Sequence, residues 1–233
     1  MISFFLSFER PGEPQARVGE AELSRFAAIL KRAPGLEKAL LFTPERAHDP
    51  YLDDGPPPIL AAQLYFAEIA ALEAALARRG PLQPLADAGE IPSLAGAQAT
   101  QQAMLARIFP VPDPQPRTPA GGFPCSYLVA YEGAAQDPDL WLAYYLEHHP
   151  PLMARLPGVR EIEIYTRLDW CGFLPFRRAL HLQRNKVAFD DKAALDAALD
   201  SPARHEMRAD FAKFPPFDGR VSHYAMATRR LLP

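Results

Sequence analysis

The apolar positions follow two rhythms, and these alternate in one order, twice along the chain. Phe4, Leu6 and Phe8 recur at every second position, which predicts an opening strand. Leu23, Phe26, Ile29 and Leu30 then fall at helical spacing, the mark of one buried helix face. Short apolar runs at Leu36–Thr43 and Ile59–Phe66 read as strands, an Ala-Leu helix follows within Phe66–Leu76, and a last strand spans about 99–108. Beyond Val111–Phe123 (VPDPQPRTPAGGF), which has no periodicity, the order repeats. Tyr127, Val129 and Tyr131 alternate, and Asp137-Pro138 is an N-cap followed by proline at the first helical position. Leu140 and Tyr144 carry that helix to about Glu147, and the adjacent prolines 150 and 151 are expected to break it. Strands at Val159–Thr166 and Leu180–Phe189, a helix at 191–200 capped by Asp190 or Asp191, and a strand at 221–229 complete the second round.

The two rounds align without gaps. A shift of 123 lays ISFFLSFE over CSYLVAYE, Ala33-Pro34-Gly35 over Leu156-Pro157-Gly158, and FAEIAALEAAL over FDDKAALDAAL. The same shift pairs Gly96 with Gly219 and Arg107 with Arg230 in the last strands. Similarity at one fixed offset is the signature of duplication. The expected organisation is a repeat at 1–110, a Pro/Gly-rich linker at 111–123 and a second repeat at 124–233. Each repeat reads β-α-β-β-α-β, the ferredoxin-like split motif. Both helices of such a unit lie on one face of its sheet, so the other face needs a cover. Two copies can cover each other, giving an α+β fold whose antiparallel sheets face inward as a barrel, with a cavity between them.

Composition narrows the partners. Apolar residues make up 48% and charged residues 23%, with a net charge of −3 and a pI near 6.1, so no basic field points to nucleic acid or an anionic membrane. The opening MISFFLSFER is too short to span a bilayer and lacks the basic start of an export signal, so a cytoplasmic location is expected. Cys125 and Cys171 have no metal or redox spacing, and His181, His223, Cys171 and Asp169 show no ligand spacing, so no metal site is expected.

One motif separates the second repeat from the first. His149-Pro150-Pro151-Leu152, followed by Leu156-Pro157-Gly158-Val159-Arg160, resembles the EthD-like family of the dimeric α+β barrel superfamily. There a helix-end histidine precedes Pro-Leu, a short spacer and Leu-Pro-Gly. In that family the two units normally come from two chains. The resemblance implies an α+β barrel related to proteins of ether catabolism and of polyketide cyclisation or dehydration, generally without metal or organic cofactor.

His149 is the first candidate for chemistry, because an imidazole titrates near neutrality and can take or give a proton. A helix C-terminus would favour its charged form. The aligned position in the first repeat is Phe26, with Ala27 and Ala28 for the prolines, so a single site is expected and the first repeat is scaffold. His148 points about 100° away around the helix. Arg184 and Lys186 share one strand face, and Glu161 and Glu163 share a face of the preceding strand. Such polarity marks either a ligand cavity or a solvated sheet edge. Tyr127, Tyr131 and Tyr165 carry hydroxyls on apolar bodies suited to a flat aromatic ligand. His223 and Tyr224 take opposite faces, and the acidic loop HDPYLDDG (48–55) reads as a solvated turn. The expected function is cofactor-independent proton transfer (isomerisation, cyclisation or dehydration) on a small apolar oxygenated metabolite. His149 would be catalytic, with Tyr127, Tyr131, Glu163, Tyr165, Arg184, Lys186 and His223 around the substrate. The rival is a non-catalytic small-molecule-binding or assembly barrel, and a haem protein of the same superfamily would need an axial histidine on the cavity wall. The duplication makes a monomer viable while leaving a homodimer open.

Overall fold

The computed structural model describes residues 1–232. In the first half, strand β1 (Ile2–Glu9) leads to helix α1 (Glu20–Leu30), strands β2 (Leu36–Pro44) and β3 (Leu60–Phe66), helix α2 (Ile69–Ala75) and strand β4 (Gln98–Phe109). The second half has β5 (Cys125–Ala135), α3 (Pro138–Met153), β6 (Val159–Arg167), the two-residue β7 (Arg177–Arg178), β8 (His181–Phe189), α4 (Lys192–Leu199), α5 (Pro202–Phe211) and β9 (Phe217–Arg230). No described helix is long and apolar enough to cross a membrane.

Each half forms a four-stranded antiparallel sheet, β4-β1-β3-β2 and β6-β8-β5-β9. Their edges join: β2 pairs with β9 from Leu40 opposite Arg230 to Pro44 opposite Met226, and β4 pairs with β6 from Met104 opposite Arg167 to Phe109 opposite Ile162. The result is one closed antiparallel barrel of eight strands, which leaves no long open edge. Closure sorts the alternate side chains of every strand into two sets. Phe4, Leu6 and Phe8 of β1 pack against Phe26, Ile29 and Leu30 of α1, whereas Phe5 turns into the barrel with Met104 and Tyr165. Leu40, Phe42, Tyr65, Leu128 and Met226 fill the rest of that interior.

Several expectations change. Helix α3 runs through Pro150 and Pro151 to Met153. Both prolines lie in its final turn, so the carbonyls of Leu146 and Glu147 lose their donors, but the break is confined to the end of the helix. His149 is therefore inside the helix. A further helix, α5, follows α4. The last strands align at 122 rather than 123, since Ile2 faces Leu105 while Cys125 faces Ala227, so the pairing of Arg107 with Arg230 is one residue out.

The long β-β connections cross over. Residues 168–180 of the second half lie on the first helix layer, where Trp170 meets Phe4 at 5.4 Å and Phe176 meets Phe8 at 5.5 Å. Residues 45–59 of the first half lie on the second layer. The two plugs differ: one is aromatic, and the other is largely acidic and polar.

Candidate active site

Under the 45–59 connection lies a small pocket of about 120 Å³, between β5, β8 and β9 on one side and α3, α4 and α5 on the other. Val129, Val187, Leu195 and Phe211 give it apolar walls, and Leu52 of the first half covers it. His149 reaches this pocket from α3. Its ring is packed against Tyr145 and Phe214, at 5.1 and 5.2 Å between centroids, and the residue is 6% exposed.

Nδ1 of His149 lies 2.8 Å from Oδ2 of Asp210 on α5. The other Asp210 oxygen accepts the Tyr144 hydroxyl at 3.1 Å, so the carboxylate is fixed at both ends. The hydrogen bond from His149 holds Asp210 below the usual carboxylate range, against the opposing effect of burial. Burial in turn pulls the imidazole below the ordinary histidine value, and the neighbouring carboxylate only partly offsets this. The charged form expected at a helix end gives way to a neutral ring, because desolvation outweighs the helix dipole. With Nδ1 on the carboxylate, the basic nitrogen is Nε2, and it has no protein partner among the described residues.

Around it stand polar groups that the linear sequence did not connect. Arg204 of α5 grips Asp49 of the first half through two nitrogens at 2.8 to 3.1 Å, and Tyr127 donates its hydroxyl to the same carboxylate at 2.9 Å. Asp49 and Arg204 side chains are 5% and 8% exposed, so this loop is anchored and not the solvated turn its acidity suggested. Asn185 donates to the Tyr145 hydroxyl at 2.8 Å, while its buried carboxamide oxygen has no partner among the described residues. His223 lines the same pocket and pairs with Asp54.

The expected site residues therefore separate. His149, Tyr127, Tyr131 and His223 gather at the helix-side pocket, with Tyr131 held in an aromatic cage of Trp141, Tyr145, Phe214 and Phe217. Glu163, Tyr165, Arg184 and Lys186 lie on the opposite strand faces, in the barrel. The expectation of one cavity between the sheets, shared by all eight, is corrected by the strand parity. In the barrel Lys186 lies 2.8 Å from Glu163, and Tyr65 and Tyr165 donate to the same carboxylate. Burial alone would raise Glu163, but the charges of Lys186 and Lys38 outweigh it and hold the group low. Arg184 lies 4.4 Å over the Phe5 ring. Lys186, Glu163, Tyr65 and Tyr165 satisfy one another, whereas Arg184 takes no part in that network. A cavity of about 830 Å³ opens at one barrel end beneath residues 110–124, with Lys186 and Glu161 on its wall. His148 is exposed, stacked on Tyr144 at 4.1 Å.

The fold can now be compared with solved structures. An anthrone oxidase-like protein matches over 99% of this chain and 92% of its own, with a TM-score of 0.62 at 14% identity. The chain has the fold of the dimeric α+β barrel proteins. A candidate monooxygenase from Fusobacterium nucleatum matches this barrel over 98% of the chain and 92% of its own, with a TM-score of 0.59 at 7% identity. Chlorite dismutase from Candidatus Nitrospira defluvii covers 97% of the chain and 90% of its own, with a TM-score of 0.50 at 11% identity. The structural neighbours of the barrel also include an EthD family protein from Bacillus halodurans, which spans 42% of this chain and 96% of its own at a TM-score of 0.34 and 18% identity. No protein-family profile and no curated protein matches the chain.

Proposed function

We propose that the protein is an enzyme of proton transfer, acting without a cofactor on a small apolar oxygenated compound, with Nε2 of His149 as the base. The observation that carries this reading is a buried imidazole, oriented by Asp210, that opens on a small, largely apolar pocket. A carboxylate on Nδ1 fixes the tautomer and stabilises the imidazolium that forms when Nε2 takes a proton. Burial keeps the resting ring neutral and therefore ready to accept. The apolar walls hold the substrate in place and keep water away from the reacting carbon or oxygen.

The volume limits the substrate. A cavity of about 150 Å³ holds benzene, so a pocket of about 120 Å³ takes a molecule of one-ring size in this conformation. A porphyrin is several times larger, which argues against the haem alternative despite a histidine on the wall. In this reading residues 124–233 carry the chemistry and 1–110 act as scaffold, except for the loop that closes the pocket, and 111–123 links them. The non-catalytic binding alternative explains the pocket but gives the His149–Asp210 pair no task.

The test is His149→Ala. Turnover of the substrate per folded molecule should fall roughly 10²–10⁴-fold, the worth of a positioned proton acceptor, with the folded fraction read from melting curves. A variant that keeps full turnover would return the pocket to simple binding.

A further inference from the structure

A second histidine–aspartate pair stands on the same pocket. His223 of β9 lines the chamber on one side and on the other borders a cleft of about 420 Å³ beneath the 45–59 connection. Its Nδ1 lies 2.8 Å from Oδ2 of Asp54, and its backbone N–H donates to the same oxygen at 2.9 Å. Nε2 has no protein partner among the described residues. Burial would raise Asp54, but the hydrogen bonds and charge of His223, with help from Arg220, hold it below the ordinary carboxylate range.

The two pairs share a contact and differ in surroundings. His149 is sealed between α3, α5 and Phe214, where a charge is costly. The His223 side chain is 16% exposed and sits at the border of the cleft, among Asp49, Asp53 and Asp54 of the acidic loop and Arg220 of its own strand. Two carboxylate-backed imidazoles on two walls of one small chamber, one buried and one bordering the cleft, have the geometry to divide the roles of base and acid.

We propose that His223 is the proton donor that works with His149, and that the pocket enolises a ring-sized carbonyl compound. This rests on the reading of His149 as the base. Nε2 of His149 takes the proton from the carbon next to the carbonyl, and the C–H electron pair becomes the C=C bond of the enol. The carbonyl π pair takes the proton from Nε2 of His223, whose N–H electrons stay on nitrogen. His149 ends charged and His223 neutral, so total charge is unchanged. Return of both protons restores the enzyme, either at the same carbon or, in a conjugated substrate, at the far end of the double bond. No oxidant, reductant or co-reactant is needed. The cleft gives His223 its route to solvent protons.

The probe is cyclohexanone in heavy water, with loss of its α-hydrogens followed by proton NMR in the presence of the full chain. Wild type should accelerate exchange over buffer, and His149→Ala and His223→Gln should each lower the enzymatic rate roughly 10²–10⁴-fold. Melting curves confirm that each variant folds, and if His223→Gln does not, Asp54→Asn removes the charge behind the ring and should lower the rate in the same direction. A His223→Gln enzyme at the wild-type rate, with His149→Ala inactive, would overturn the role of His223 and leave the base intact. No acceleration by wild type, or full activity of His149→Ala, would overturn both.

Discussion

At the scale of single residues, what decides the chemistry is where each charge can be hydrated. His149 has lost water on nearly all sides, so its folded value lies below the ordinary 6.5. The ring therefore stays neutral as pH falls through that value, and a rate that depends on the free base should hold there and decline only in more acid solution. A pH–rate profile checks this, and an acid limb centred above 6.5 would contradict it. His181 obeys the same rule in a structural setting. Burial first, then Arg184 and Arg177, push it down to about 3. The unfolded chain takes up that proton near pH 6.5, so the stabilising contribution is complete above this value and shrinks as pH falls toward about 3. Melting temperatures should drop on acidification over that window, and His181→Gln should flatten the drop. His149 was legible in the sequence because Phe26 stands at the aligned position and because prolines follow it. Asp210 was not, since 61 residues separate the partners and nothing local in RADF marks an acid as turned inward.

At the scale of elements, helix α5 and the 45–59 connection carry much of the site, and both escaped the hydrophobic pattern. Helix α5 (PARHEMRADF) has few apolar positions, because it presents Arg204 and the Tyr144-bound Asp210 where an ordinary core helix would present leucines. Its one readable signal was Ser201-Pro202, a cap residue followed by proline at the first helical position. The acidic connection looked solvated because its partner cation lies 155 residues away. That pairing makes a sharp prediction. Asp49→Ala leaves Arg204 buried without a counter-charge and should destabilise the protein by about 3–5 kcal/mol, measured by urea unfolding. The double variant Asp49→Leu with Arg204→Met removes both charges and should recover much of the loss. Equal losses in the single and double variants would show that the loop is held by something other than this ion pair.

At the scale of the whole molecule, the order of strands was legible and the side of the sheet that carries the pocket was not. Seven successive residues of β1, Ile2–Phe8, are buried, so alternation reveals two sets of side chains without saying which set meets helices and which meets the barrel. Only closure through β2–β9 and β4–β6 assigns them, and it sends Lys186 and Glu163 inward and Tyr127 and His223 toward the helices. Closure within one chain also has a thermodynamic consequence. Each four-stranded sheet has its edges paired by the other half, and the barrel interior is filled by groups from both, with Lys38 of β2 reaching Glu161 of β6 at 3.0 Å. Nothing in that arrangement calls for a second molecule to cover a sheet. Unfolding should therefore be unimolecular, with a melting temperature that stays constant across about a hundredfold dilution, because only an equilibrium that releases subunits depends on total concentration. The isolated segment 124–233 should behave in the opposite way: it exposes the β6 and β9 edges, lacks Leu52, Asp49 and Asp54 over its pocket, and should associate or fail to fold. A full chain whose melting temperature falls with dilution would mean that a second copy completes a structure the single barrel leaves unfinished.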